Sequence, residues 1–473
     1  MNARVAGLFT LLAAACAVPP PATVTEQDVA QAWVAAMGAA PARVAAAVTP
    51  PGREALTTSQ ITVELEGHLA AVRCRDGGWL VQVPPAGARV VGYSTSDGHA
   101  GAVLNVRGNN QVDVHSATLP LPCAIVPGDA LVVASTGSGR GGYWDAPGRS
   151  VCDEMLAIVF VHYPVGPGLL RPPAIGDSWL ARWFRSLPLP ESKVDMARLP
   201  AVIDVAGLGI DWSAWGAAEP TMPYLTGLLR PFAGDVYDGW STDTRTPDHQ
   251  HPGYYYASVV SQALVQLCST APAGAKRDLA LAVVQRGLDL IGAWADGRRT
   301  YPLGGHAAGR KALIVATGHL LAVEPLADPT AIVGPKFQED GAYRPGSWWW
   351  GDDWSATWAF RLEAPSDGRL LATPPSTWGP VDAAGHDSWA WMVAGYMPQV
   401  VGAQVGTALA MRLLGRTREW GTSADAMVAQ WMTGPPSEAD AELRAAGIVL
   451  PWGSDYAVVR GADFCAAAWR SAK

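Results

Sequence analysis

The sequence predicts two structural classes in succession: an N-terminal antiparallel β-sandwich, followed by an all-α, (α/α) toroid-like domain. Three observations predict this order. Short runs rich in β-branched and aromatic residues, separated by Gly, Pro, Asp and Asn turns, fill the chain from Ile61 to about Val165, which is the spacing of an antiparallel sandwich. After about residue 220 the apolar period lengthens to that of helices, with Gly or Pro just beyond several segment ends. Long loops between those segments hold most of the unusual residues, including Trp348, Trp349, Trp350, Trp354 and Trp358 from a total of 21 tryptophans.

Residues 1–17 have a leader's pattern, with Arg4 ahead of an apolar run from Val5 to Ala15. That run is too short to span a bilayer and suits a signal-peptide core. Cys16 follows Leu12-Ala13-Ala14-Ala15, so two fates stay open: lipidation of Cys16, or ordinary cleavage near Ala17. Residues 18–58 read as a tether, starting with Pro19-Pro20-Pro21, and one short helix or loose segment opened by a capping box at Thr23-Val24-Thr25-Glu26.

The sandwich is placed at 59–165, with strands expected at Ile61–Leu65, Trp79–Val83, Ala88–Tyr93, Ala130–Val133 and Leu156–Val161. A Pro- and Trp-rich linker, 166–219, lacks periodicity and is expected to pack on a neighbour. The toroid is placed at 220–473, with helices near 253–270, 276–295, 306–323, 387–396, 399–415, 423–433 and 437–446.

At 473 residues the chain is long enough for more than one core. Its net charge of −8, with 16% charged residues, leaves no basic face for a nucleic acid. Beyond Cys16 the cysteines are Cys74, Cys123, Cys152, Cys268 and Cys465. In an exported protein a bridge among the first three and another joining Cys268 to Cys465 are expected. No C-x-x-C pair and no D-x-D-x-D-G loop occurs, so no metal and no cofactor is assigned.

Four loop-borne groups carry candidate chemistry. Gly304-Gly305-His306-Ala307-Ala308-Gly309-Arg310-Lys311 gathers an imidazole, a guanidinium and an ammonium ahead of a helix, where unpaired backbone N–H groups favour anionic or oxygen-rich ligands. It lacks the order of a phosphate-binding loop, which disfavours nucleotides. Asp248-His249-Gln250-His251, followed by Tyr254-Tyr255-Tyr256, offers acid, imidazole, amide and phenol before another helix. Glu339-Asp340-Gly341-Ala342-Tyr343 sets two carboxylates beside a phenol. Adjacent loop residues point apart, so one carboxylate is expected to face a ligand while the other orients a neighbour. The fourth group is Trp348-Trp349-Trp350-Gly351-Asp352-Asp353-Trp354, in which aromatic faces would stack on sugar rings and carboxylates would bind hydroxyls. Each group also has a plainer reading: a helix cap, a turn, a solvated acidic loop, or core aromatics.

With these segments and the late helix Gly402–Gly415, the chain resembles exported bacterial proteins whose (α/α)-toroid catalytic domains are of the polysaccharide lyase and glycoside hydrolase type. The resemblance covers residues 60 to 470 at the level of architecture. Its β-domain precedes the helices, as in several toroid hydrolases, whereas it follows them in heparinase-like and alginate-lyase-like toroids.

The function expected is therefore an exported polysaccharide-degrading enzyme, cutting glycosidic bonds by β-elimination or by hydrolysis. The alternative is a non-catalytic carbohydrate-binding or envelope surface protein on the same scaffold. Candidate catalytic residues are His306, Glu339, Tyr255 and Arg310, and candidate substrate-binding residues are Asp248, Gln250, Lys311, Asp340, Tyr343, Trp349 and Trp354. Hydrolysis needs two opposed carboxyl groups, whereas elimination needs a base together with a cationic or amide group to hold the developing enolate. The expected partner is a polysaccharide or oligosaccharide. A membrane enters only through a lipid on Cys16, and the expected location is periplasmic, outer-membrane-anchored or extracellular.

Overall fold

The computed structural model describes residues 24–37, 52–58, 60–96, 100–106, 118–136, 152–204, 207, 252–297, 308–335, 337–341, 401–433, 453 and 464–472. Over these residues a β-rich N-terminal region precedes a helical region.

The chain enters through α1 (Glu26–Met37). Its capping box lies two residues later than the sequence suggested: the Asp28 N–H donates to Thr25 Oγ1, and the Thr25 N–H donates to the Asp28 carboxylate. The helix is docked by Val29 and Trp33, both fully buried, with the Trp33 ring edge-on to Trp183 and Phe184. It is thus part of the core and more than a joining segment.

Two sheets follow. The first has the order β1-β2-β5-β7 and is antiparallel throughout, built from β1 (Gly52–Thr57), β2 (Ile61–Gly67), β5 (Ala88–Thr95) and β7 (Cys123–Ile125). The second has the order β3-β4-β9-β8-β6, from β3 (Ala70–Arg73), β4 (Trp79–Gln82), β6 (Ala100–Leu104), β8 (Ala130–Thr136) and β9 (Cys152–Val161). One pairing departs from the antiparallel expectation: β4 runs parallel to β9, with Trp79 opposite Ile158 and Gln82 opposite Val161. Parallel pairing suits strands covered on both faces, and β9 is such a strand.

Alternation along β8 and β9 explains their continuous apolar sequence. Leu131, Val133, Leu156, Ile158 and Phe160 join an apolar cluster shared with Ile61, Val63 and Leu65 of the first sheet. The intervening Ala130, Val132, Ala157, Val159 and Val161 join a second, larger cluster with the helices. With a period of two residues per strand repeat, one sheet thereby serves two cores.

The Pro- and Trp-rich stretch runs between these layers. It carries β10 (Leu169–Leu170) paired with β11 (Leu189–Pro190), and α2 (Trp179–Arg185), which is capped by Ser178. Residues 171–176 are all buried. A side chain at Gly176 would meet the carbonyl of Gly292, so the strip lies directly on a helix backbone.

The helical region contains α3 (Pro252–Leu267), α4 (Ala273–Ala295), α5 (Arg310–Leu320), α6 (Glu324–Ala327), α7 (Pro329–Val333), α8 (Gln338–Gly341), α9 (Val405–Leu413), α10 (Thr417–Trp420), α11 (Thr422–Thr433) and α12 (Phe464–Ser471). Helix α4 is buried from Leu279 to Trp294 on every face, so its Gln285, Arg286 and Asp289 are held inside the core. At Gly287 the Cβ of any other residue would collide with Thr317 of α5, which is how these two helices approach so closely.

The thiols of Cys74, Cys268 and Cys465 are buried and that of Cys123 is half-buried, and among the described residues none of the four is joined to another in a disulfide. The expected Cys268–Cys465 bridge is therefore not formed. Cys465 Sγ packs at Gly406 beside the carbonyl of Ser261, whereas Cys268 lies seven residues further along, roughly 10 Å in helical rise, beyond disulfide reach.

Candidate functional site

The N-terminus of α5 and the short helix α8 form one charged cluster inside the helical region. Gly309 supplies the left-handed turn, φ 86°, that lets α5 start at Arg310. The helix thus begins with two cations, Arg310 and Lys311, at the end where the backbone dipole is already positive. Both side chains are also buried, at 4% and 2% exposure. Two carboxylates on α8 meet this helix start, Asp340 at Lys311 and Glu339 at the Gly309 N–H.

Asp340 is fully engaged. Lys311 Nζ donates to its Oδ1 at 2.6 Å, Thr330 Oγ1 donates to the same oxygen at 2.8 Å, and the Phe337 N–H donates to Oδ2 at 3.1 Å. The Lys311 ammonium lies 6.0 Å from the centroid of Phe337, whose ring stacks on Trp294 at 5.6 Å.

Glu339 is held differently. Its Oε1 accepts the Gly309 N–H at 3.1 Å, occupying the anion position at the start of α5. Its Oε2, buried, has no hydrogen-bond partner among the described residues. Burial pushes this carboxyl up to about 7, against the pull of the Gly309 amide and Lys311, and neighbouring Asp340 adds to the rise. Behind it stands Gly421, where a Cβ would sit 3.0 Å from the Glu339 carbonyl oxygen.

Helix α4 adds Arg286, which the sequence reading missed. Burial lowers its guanidinium to about 9, and the like charges of Arg310 and Arg171 act in the same direction while Asp289 opposes them. Its signal was present as polar residues on a helix that is apolar all round, Gln285, Arg286 and Asp289. Thr330 had no comparable signal, because only the fold brings it to Asp340.

Lys311, Glu339 and Asp340 are thus brought together, while Arg310 starts the same helix and its charge acts on Arg286. Both carboxylates turn inward from a helix, where an extended loop was expected to point them apart. Tyr255 lies on α3, but its side chain is outside the described residues. His306, Asp248, Gln250, Tyr343, Trp349, Trp354 and Cys16 also lie outside them. The helix expected near 306–323 is α5, Arg310–Leu320.

Among the described residues no group of three or more His, Cys, Asp or Glu side chains could hold a metal ion, and no helix is long and apolar enough to cross a membrane. No protein-family model matches the chain, and no curated protein or solved structure matches it. Chemically, the cluster offers a buried carboxyl held above its ordinary range, beside the fixed cation of Lys311.

Proposed function

We propose that the chain is an exported polysaccharide-degrading enzyme, its helical region an (α/α) toroid and Glu339 the carboxyl that carries a proton to or from the scissile glycosidic bond. One observation supports this reading above the others: Glu339 is buried, bonded through a single oxygen, and raised to about 7. A glycosidase acid must remain protonated at the pH where it works, and burial is the usual means of achieving this. Lys311 in the same cluster, with Arg310 beside it at the start of α5, would provide positive charge for an oxygen-rich substrate or for the enolate of an elimination. Export rests on the leader sequence of residues 1–17.

The purified protein should cut a glycan from a panel of neutral and uronate polysaccharides. Ultraviolet absorbance of an unsaturated product would report elimination, and reducing ends without it would report hydrolysis. Glu339→Gln should lower turnover by about 10²-fold or more. Absence of product across the panel, or full activity in Glu339→Gln, would rule the reading out.

A second reading is a non-catalytic carbohydrate-binding protein on the same scaffold. It draws on the depth of burial of Arg310, Lys311, Glu339 and Asp340, which is that of structural ion pairs. Glycan affinity that survives His306→Ala combined with Glu339→Ala, with no turnover before or after, would favour it.

A further inference from the structure

At the opposite end of α5 a histidine is held between two arginines. His319 Nε2 lies 3.1 Å from the carbonyl oxygen of Arg198, and its Nδ1 lies 3.2 Å from Arg416 Nε. A carbonyl can only accept and a guanidinium N–H can only donate, so Nε2 carries the proton and Nδ1 presents a lone pair. Only the neutral ring satisfies both partners. Arg198 Nη1 in turn donates to the His319 carbonyl oxygen at 2.7 Å, and the Asp195 N–H donates to the Leu320 carbonyl oxygen at 2.9 Å. The open carbonyl end of α5 is therefore tied to the 3-10 turn Met196–Arg198 and the residue before it.

The charged groups facing this ring come from every element around it. Arg198 and Asp195, at 4.0 Å from each other, come from the 3-10 turn, and Glu324 comes from α6. From the α10 side come Arg416, Arg418 and Glu419. Arg416 grips both oxygens of Glu324 at 2.7 Å. That hydrogen-bonded contact holds the Glu324 carboxyl below its ordinary range, so it stays charged in mild acid and the imidazole is the group that changes state.

We propose that His319 is the acid-sensitive pin of a joint whose release frees the Arg416 turn from α5 and, through Gly421, loosens the seat of Glu339. A proton arriving at Nδ1 sets an N–H against the N–H of Arg416 with no acceptor between them, and adds a third positive charge between two guanidinium groups. The position near the carbonyl end of α5 favours a charged ring. Burial first, then the charges of Arg416 and Arg198, hold the imidazole below its ordinary range against the opposing pull of the Arg198 carbonyl and the Glu324 carboxylate. Because the unfolded chain takes up this proton at a higher pH than the folded one, the joint's stability is complete above the ordinary histidine value. It is lost as pH falls from there toward the folded value.

The connection to Glu339 is short. Arg416 opens α10, a single turn closed by Trp420 N–H to the Arg416 carbonyl at 3.0 Å and Gly421 N–H to the Thr417 carbonyl at 2.9 Å. Gly421 then packs on Glu339. This inference does not depend on the catalytic reading, because its readout is structural.

The test is histidine NMR titration of the full chain together with amide exchange of the segment 416–421, corrected for intrinsic rates, between pH 7.5 and 5. His319 should titrate below an unfolded reference peptide, and exchange in 416–421 should rise by roughly tenfold or more through that range. His319→Gln keeps one acceptor and one donor without a charge, and should abolish the rise in exchange on acidification. If that variant does not fold, Arg416→Gln should move the His319 midpoint upward, and the wild-type titration stands by itself. A His319 midpoint at or above the peptide value, or the same acid response in His319→Gln, would overturn the proposal.

Discussion

Arg171 forms a two-pronged ion pair with Asp289, Nη1 to Oδ1 at 2.9 Å and Nη2 to Oδ2 at 2.6 Å, and both side chains are sealed from solvent. The same guanidinium reaches Asp76 Oδ2 with Nε at 2.9 Å and Nη2 at 2.7 Å. Gln285 brackets the Arg171 backbone, accepting its N–H and donating to its carbonyl. One residue of the connecting strip thus joins the β3–β4 turn to the middle of α4. Burial works against every charge here, but the two carboxylates prevail and raise the Arg171 pKa, while burial pushes the Asp76 carboxyl up despite Arg171.

Removing the shared cation should be costly. Arg171→Met takes from two buried carboxylates the cation that hydrogen-bonds both, and a loss of about 3–5 kcal/mol in urea unfolding is expected. Asp278→Ala, which breaks the solvent-exposed pair with Arg75, should change stability by less than about 1 kcal/mol. Equal losses from the two variants would refute the assignment of Arg171 as the central tie.

Glu339 should make stability depend on pH in the opposite sense to an ordinary salt-bridged carboxylate. Its pKa rises on folding, from an ordinary 4.5 to about 7, so the folded chain holds more protons between those values and loses stability as pH climbs through them. Glu339→Gln should therefore match the wild type near pH 4.5 and exceed it above pH 7, by an amount on the order of 3 kcal/mol. Thermal unfolding across that range is the measurement. A variant that is less stable at pH 8 would indicate that the charged carboxylate is well satisfied.

The Lys311–Asp340 pair should behave as a unit. With side chains only 3% and 5% exposed, Asp340→Asn strands a buried ammonium and should cost about 3–5 kcal/mol. Lys311→Met together with Asp340→Leu should cost clearly less than the two single changes added. A double-mutant cycle by chemical denaturation decides this, and simple additivity would mean that the two groups do not depend on each other.

The local reading of the chain succeeded where both partners of an interaction lie close in sequence. Ile61–Leu65, Ala88–Tyr93, Ala130–Val133 and Leu156–Val161 fall on strands, and Trp79–Val83 does so up to Gln82. Strand β2 and the start of β5 alternate between buried and more exposed positions, while β8 and β9 carry short runs rich in β-branched residues and covered on both faces. Strands β1 and β3 were missed because they are exposed edges, and Leu56 is the one buried residue of β1. The capping box slipped by two residues because Thr23 and Thr25 are each followed three residues later by an acid, Glu26 and Asp28. Helices α6 and α7, at four and five residues, are too short to show a period.

By itself the sequence determined the order of the β-rich and helical regions, the glycine turn that starts α5, and the chemical types gathered around that turn. These depend on periodicity and backbone preference, which act over a few residues. The tertiary structure alone decided that Glu339 caps α5 from 30 residues away, and that Arg171 joins Asp76 and Asp289 across 95 and 118 residues. It also decided that β4 lies parallel to β9. Those choices are made by burial. Once a charge is taken out of water it must find the partner that packing brings within reach, and distance along the chain leaves no local trace of which partner that is.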